Sequence, residues 1–317
     1  MKKNRSGHVY IYLTGGLGNQ LFQYSHGKFL SALSGYDLKI DSYLGKPRLN
    51  KDGRPEIVNL IGYTSEFIQS RFEISLFRKI SGFRLRNALK PKPFEKNHLI
   101  MFFITTLSEF AMSIYFKDFV KIYASSDIGF SDFTPSKRKG IFPIGYFQSY
   151  KYFAESNIKE VVKIRMKNFS FFEEFNLIAR EVQPLIVHVR LGDYKVEKTF
   201  GLLQKSYYSD AIELALGKAD FREIWLFSDE ISHAREYIPS KYHHMIREVG
   251  DQRWSTSENL AIMSLGKGFI ISNSTFSWWA AQLSDKPDLV VAPSPWFKLE
   301  KEPQNLIPEN WIRLPAH

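Results

Sequence analysis

Arg190 closes an apolar run, Leu185-Ile186-Val187-His188-Val189, and is followed by Leu191-Gly192-Asp193-Tyr194. If that run is a strand, its side chains alternate, and His188 and Arg190 face the same way. A guanidinium at a strand end can clamp a phosphate with its planar fork. An Arg beside apolar strand residues is seldom filler. Its other use is an ion pair with Asp193 or Asp229 that holds the loop, which leaves it at the same edge. A lone His on an apolar run is more often a satisfied core side chain than a catalyst, so His188 decides little by itself.

Three further clusters carry polar chemistry. Ser272-Asn273-Ser274-Thr275-Phe276-Ser277 opens a helical pattern. Ser and Thr cap such an end, and its backbone N–H groups attract phosphate oxygens. Trp278 and Trp279 follow, more suited to core packing than to stacking on a ligand. Glu258-Asn259 offers a carboxylate that can accept from a guanine N1–H and 2-amino group; the alternative is an acid favoured by a helix N-terminus. Gly15-Gly16-Leu17-Gly18-Asn19-Gln20 is a tight Gly-rich turn, but position 21 is Leu, so the dinucleotide fingerprint is absent. Its glycines allow close backbone approach to a ligand beside the Asn19 and Gln20 amides. A plain strand-to-helix turn with Asn19 as the cap fits equally well.

The elements that must position these groups follow from hydrophobic rhythm. Residues 185–189, 224–227, 269–271 and 289–291 are short apolar runs, with helical patterns at 207–218, 258–265 and 276–283 between them. Strands alternating with helices imply βαβ units and a parallel sheet covered on both faces. In such sheets ligands bind beyond the carboxyl ends of the strands. Those ends carry Arg190 to Asp193, Ser228-Asp229, Ser272 to Ser277 and Pro293-Ser294, which reads as a site for an anionic ligand, a nucleotide above all. The N-terminus repeats the theme, with a strand at 8–13, the Gly-rich turn, and a helix at 21–33. A boundary near residue 180 gives an N-terminal domain at 1–179 and a C-terminal domain at 180–317.

Composition sets the limits. The 317 residues are 44% hydrophobic and 24% charged, ordinary globular usage with length for two domains. There is no Cys, hence no disulfide framework and no thiolate metal site. Lys2, Lys3 and Arg5 lead into His8 and a strand-like run and not into a secretory signal, so the chain is expected in the cytoplasm. The apolar stretch Leu99–Phe116 is interrupted by Ser108 and Glu109 and reads as a buried helix or helix pair, not a membrane span. The net charge of +10 suggests anionic partners, and much of it lies in the run Arg71–Lys96. That run reads as a solvated face or connector, with peripheral contact to the inner, anionic membrane surface as the alternative. The lack of a clear amphipathic period favours the first. The same charge raises the reading of a non-enzymatic nucleic-acid-binding protein, but the cations lie outside the strand-end clusters and no nucleic-acid module is present.

Taken in order along the chain, these residues resemble the family 11 α-1,2-fucosyltransferases of bacteria. The resembling segments are residues 15–24, Gly145-Tyr146-Phe147-Gln148-Ser149 with Lys151-Tyr152-Phe153, and residues 188–194. Phe227-Ser228-Asp229, Ile271 to Trp279, and Ile307 to Ile312 complete the set. Two positions depart: the family's second Arg is Leu191 here, and Asn259 stands where Asp is frequent. The resemblance implies an α/β, GT-B-like fold of two Rossmann-like domains whose parallel sheets face a central cleft. It implies GDP-fucose as donor, held by the C-terminal half through Arg190, Ser228, Asp229, Glu258, Asn259, Asn273, Ser274, Thr275, Phe276 and Ser277. It places Gly16, Asn19 and Gln20 on the acceptor or fucose side, and assigns catalysis to Arg190, Asp193 and His188, with Asp193 as the candidate base. The acceptor would be a galactose-containing glycan or lipid-linked oligosaccharide. The same fold using another nucleotide sugar is the alternative.

No cofactor is expected beyond the donor itself. Metal-using transferases often carry Asp-x-Asp to hold a cation on the diphosphate, and the chain has neither that triplet nor a His-x-x-x-His pair. Sugar transfer is therefore expected to survive EDTA. Turnover that vanishes with chelator and returns with manganese overturns this.

Overall fold

The computed structural model describes residues 7–42, 45–68, 106–107, 109–111, 113–114, 120–124, 129–130, 140–154, 156–192, 194, 201–250 and 253–316. The basic run Arg71–Lys96, the candidate base Asp193 and much of the Leu99–Phe116 stretch lie outside the described residues. Among the described residues no helix is long and apolar enough to cross a membrane. The chain divides into two compact units: Met1–Ile158 with Pro303–Leu306, and Lys159–Glu302 with Ile307–His317.

The first unit is built on a four-stranded parallel sheet. Its elements are β1 (His8–Tyr12), α1 (Leu17–Ser34), β2 (Asp37–Asp41), α2 (Val58–Ile61), β3 (Val120–Ala124), β4 (Gly140–Ile144) and α3 (Tyr150–Ala154). The strand order is β2-β1-β4-β3. Helix α1 starts four residues before the expected one, because Gly16 leads into it from extended backbone. It stops at Gly35, whose φ of 73° makes it a left-handed cap donating to Ser31 O. Gly27 lets α1 lie close on the sheet: a Cβ there would sit 2.9–3.0 Å from Leu38 and Ile11 side-chain carbons. The segment 303–306 belongs here through Asn305, whose carbonyl accepts both Ser149 Oγ (3.0 Å) and Tyr150 N–H (2.9 Å).

The second unit begins with α4 (Ile158–Met166) and α5 (Phe172–Val182). It continues through β5 (Leu185–Val189), α6 (Lys205–Leu216), β6 (Ile224–Ser228), α7 (Ile231–Ala234) and β7 (Ile246–Glu248). Then come α8 (Thr256–Met263), β8 (Gly268–Ile270), α9 (Thr275–Leu283), β9 (Leu289–Ser294) and β10 (Ile312–Pro315). All six strands are parallel, in the order β10-β9-β8-β5-β6-β7. Counted within the unit this is 3-2-1-4-5-6, the doubly wound order whose switch point falls between β5 and β8. The expected α/β class with two parallel sheets is what the structure has.

The expected boundary near 180 falls inside this unit. Helices α4 and α5 pack on it because their apolar faces find partners there. Phe171 stacks on Trp254 at 5.2 Å and Phe175 meets Trp225 edge-on at 5.9 Å. Ser264 Oγ approaches Met166 Sδ, and Lys159 Nζ reaches Ser284 O. On the α6 side of the sheet, Leu185, Val187, Val189 and Leu191 pack with Tyr207, Tyr208, Ala211 and Ile212, all buried. Each such large side chain contributes about 1.5–3 kcal/mol on burial. Exposed ion pairs such as Lys205–Glu236 are worth about 0–1 kcal/mol, so packing and not surface charge holds the unit together.

Candidate functional site

The carboxyl edge of the six-stranded sheet brings together most residues that the sequence singles out. Val189 of β5 pairs with Ser228 of β6, so the next residues, Arg190 and Asp229, emerge side by side. Arg190 Nη1 lies 3.3 Å from Asp229 Oδ2, both side chains about a quarter exposed. Asp229 Oδ1 also accepts the Leu191 N–H at 3.0 Å, and Ser228 Oγ accepts the Glu230 N–H at 3.0 Å. One carboxylate thus fixes both the guanidinium and the turn behind it. Gly192 makes this possible, because a Cβ there would run into Asp229 Oδ2. The guanidinium lies 5.7 Å from the Tyr194 ring, and Tyr194 OH donates to Asn273 O at 3.0 Å, tying the loop to the end of β8. Leu191 is buried in the α6-side core. In this chain position 191 is a packing position.

His188 bridges the switch point. Its Nδ1 is 2.7 Å from Ser272 Oγ, and both residues are buried. Burial first, and the neighbouring Arg190 charge second, push its pKa down to about 3, against a smaller opposing effect of Asp229. The ring is therefore neutral near pH 7. Because the folded-state pKa lies below that of a free His, the stability it contributes is full above pH 6.5 and is lost as pH falls toward 3. This geometry has His188 bracing two strand ends.

At α9 the polar side chains are largely spent on the protein. Ser274 is the N-cap and accepts the Phe276 N–H at 3.3 Å. Ser277 Oγ, fully buried, donates to Ser274 O at 3.2 Å, and Asn273 Nδ2 donates to Gly201 O at 3.2 Å. The partly exposed side chains are Thr275 and Phe276. What this end offers an anion is the first-turn backbone and its dipole, more than the hydroxyls expected to point at it. Trp278 and Trp279 are buried and meet edge-on at 5.2 Å, as packing residues. Glu258 and Asn259 are engaged in capping α8. Ser255 Oγ accepts the Glu258 N–H, Glu258 Oε2 accepts the Ser255 N–H at 2.7 Å, and Asn259 Nδ2 donates to Trp254 O at 3.2 Å. This capping box is the helix-acid alternative that the sequence allowed.

In the first unit the Gly-rich turn does not hold its helix terminus open for a phosphate. Glu56, buried, accepts the Leu17 N–H at 2.9 Å and places a carboxylate on the N-terminus of α1. Gln20, expected on the acceptor side, is fully buried. Its Nε2 donates to Gly15 O and Arg48 O, and its Oε1 accepts the Ile57 N–H. It fastens the turn. Asn19 is not the cap either: Gly16 holds that place, and Asn19 sits within the first helical turn with its side chain partly exposed. There its Oδ1 accepts from Gln148 Nε2 at 3.1 Å. Exposed Arg48 passes beside Gly16. Sequence reasoning missed Glu56, Arg48 and the Gln148 contact. Only the acid two residues ahead of the short α2 run hinted at the first. Among the described residues no three His, Asp or Glu side chains converge to hold a metal ion.

Comparison with known proteins decides what kind of enzyme carries this edge. The model of glycosyl transferase family 11 matches residues 8–314. The chain belongs to glycosyl transferase family 11. It is similar to the alpha-1,2-colitosyltransferase of Escherichia coli, 28% identical over 96% of this chain and 98% of that one. It is also similar to the O-antigen biosynthesis glycosyltransferase WbnK of Escherichia coli, 25% identical over 96% and 100%. Among solved structures, E. coli ADP-heptose LPS heptosyltransferase II aligns with a TM-score of 0.48 at 9% identity, covering 97% of this chain and 90% of that one.

For this family 11 transferase, the Arg190–Asp229 contact depends on the missing Cβ of residue 192. Gly192→Ala is expected to displace Asp229; where Arg190 holds a diphosphate, affinity then falls roughly tenfold to 150-fold, as losing one hydrogen bond to a charged group (about 1.5–3 kcal/mol) implies. Calorimetric titration with GDP, beside far-UV circular dichroism of the same protein, checks this. Undiminished affinity in a folded Gly192→Ala protein counts against the role given to the pair.

Proposed function

We propose that this family 11 enzyme transfers L-fucose, with inversion, from GDP-β-L-fucose to a sugar hydroxyl, the 2-OH of a terminal galactose, in the synthesis of a surface polysaccharide or O-antigen. The observation that carries the reading is Arg190, held by Asp229 at the switch point of a doubly wound sheet. An acceptor oxygen attacks the anomeric carbon, its bond forms as the bond to the diphosphate oxygen breaks, and the electron pair leaves with GDP. Negative charge grows on the departing diphosphate. Preorganised donors aimed at such charge are usually the largest catalytic contribution, and Arg190 with the first turn of α9 supplies them. No metal or further cofactor takes part. The acceptor proton passes to a carboxylate, for which Asp193 is the candidate on sequence grounds. Asn19 orients fucose or the acceptor hydroxyl through its side-chain amide. Donor identity has a second reading, supported by the relative named as a colitosyltransferase: another sugar on the same nucleotide-binding unit.

Arg190→Ala is expected to lower kcat by roughly 10²–10³, the usual effect of removing one such donor. Arg190→Lys rescues poorly, because a point charge does not replace a planar fork. Near-normal turnover in folded Arg190→Ala would make the residue structural only.

A panel of nucleotide sugars with product detection tests the donor, and GDP is expected to inhibit far better than UDP or ADP. Glu258→Gln refines this, because Gln at that helix position preserves the capping box. If the carboxylate reads guanine, the preference for GDP shrinks in Glu258→Gln. Equal inhibition of the wild type by all three nucleotides removes guanine recognition from the reading.

A further inference from the structure

The turn after β4 is held in a shape that costs free energy, and what it delivers is one amide. Phe147 has φ of 54°, in the left-handed region that side chains other than glycine seldom adopt. Such strain persists only where surroundings over-determine it, and it gathers at functional sites. Here the surroundings are explicit. The Phe147 ring, buried, stacks on His26 with centroids 3.7 Å apart and planes 15° apart. Gly145 lets that ring fold back, since a Cβ there would sit 2.9 Å from Phe147 Cζ. Ser149 N–H closes onto Phe147 O at 2.9 Å, and Ser149 Oγ is anchored on Asn305 O. His26 is buried and its pKa is pushed down to about 3 by that burial, so the stacked ring stays neutral at ordinary pH.

The product of this arrangement is Gln148. Its side chain is buried, and its Nε2 donates to Asn19 Oδ1 at 3.1 Å across 129 residues of sequence. Gln148 Oε1 is buried without a hydrogen-bond partner among the described residues, a second local cost. An apolar side chain at 148 would avoid it. On the other side of Asn19, Gly15 at φ of 70° comes so close that a Cβ there would lie 2.8 Å from Asn19 Nδ2. A primary amide can be turned either way, and its hydrogen-bond partners decide which end is the donor.

We propose that Gln148 is a positioning residue for transfer: by donating to Asn19 Oδ1 it fixes the Asn19 amide so that Nδ2 is the group offered to the sugar. This deepens, and rests on, the reading that Asn19 touches fucose or the acceptor. It also states the chemistry met at that point, which is an oxygen lone pair of the sugar and not a hydroxyl hydrogen.

The test is a double-mutant cycle of Gln148→Leu and Asn19→Ala, with kcat, KM for the acceptor, GDP affinity and Tm measured on every protein. Each single change should lower kcat/KM for transfer by roughly tenfold to 100-fold, the scale set by misplacing a reacting group, with GDP affinity held. The double variant should be no worse than Asn19→Ala, because the two residues act through one contact. Gln148→Glu keeps the shape and supplies a pH readout if Gln148→Leu fails to fold. A protonated carboxyl donates to Asn19 and a carboxylate cannot, so its transfer should fall with rising pH more steeply than in the wild type. Additive losses, wild-type kinetics in Gln148→Leu beside an impaired Asn19→Ala, or a Gln148→Glu profile parallel to wild type would each overturn the positioning role. Wild-type kinetics in Asn19→Ala would instead remove Asn19 from the site, and the proposal with it.

Discussion

Parallel pairing of β5 with β6 on one side and β8 on the other buries all five of its residues. An ionised group within such a strand would cost several kcal/mol in lost hydration. The first position of this strand where a charge reaches solvent is the residue after Val189, and that residue is Arg190. The one titratable side chain inside the strand, His188, is kept neutral by the same burial that excludes charge from its neighbours. Site and scaffold are thus two outcomes of a single constraint. The register that seals the sheet also sets Arg190 beside Asp229, and the strand order that makes β5 central gives it a neighbour from each direction of winding.

The two units use one motif to different ends. Each has a parallel sheet and a turn that leads from a strand into a helix with a small residue at its N-cap. At α1 the protein supplies its own anion, the Glu56 carboxylate, so the positive end of that helix dipole is already answered. At α9 the cap is a neutral Ser hydroxyl. The two helix ends thus differ in charge more than in backbone shape.

What could be read from the sequence divides along a physical line. Strands such as 185–189, and the fact that their carboxyl ends collect Arg190, Asp229 and Ser272 to Ser277, follow from local patterning and from the rule that parallel sheets bind ligands at that edge. Which polar atoms are already occupied does not follow, because it depends on partners far away in the chain. Gln20 reads as available in the sequence, but its amide is consumed by Ile57 and Arg48. Glu258 was legible as a helix acid, but not that its second oxygen accepts the Ser255 N–H to close a capping box. The boundary near 180 was set by the first strong strand, whereas α4 and α5 join the second unit through distant partners, among them the contacts of Phe171 and Phe175 with Trp254 and Trp225.

The four residues Pro303–Leu306 belong to the first unit while the chain on both sides belongs to the second. Neither unit is therefore one continuous stretch of polypeptide. On a ribosome the first unit emerges without its Asn305 carbonyl and must wait for almost the whole second unit before Ser149 and Tyr150 find their acceptor. For the same reason, the two units cannot be exchanged between relatives by a single crossover: an incoming second unit brings its own version of this clasp. A segment that packs on the first unit is thus inherited together with the second.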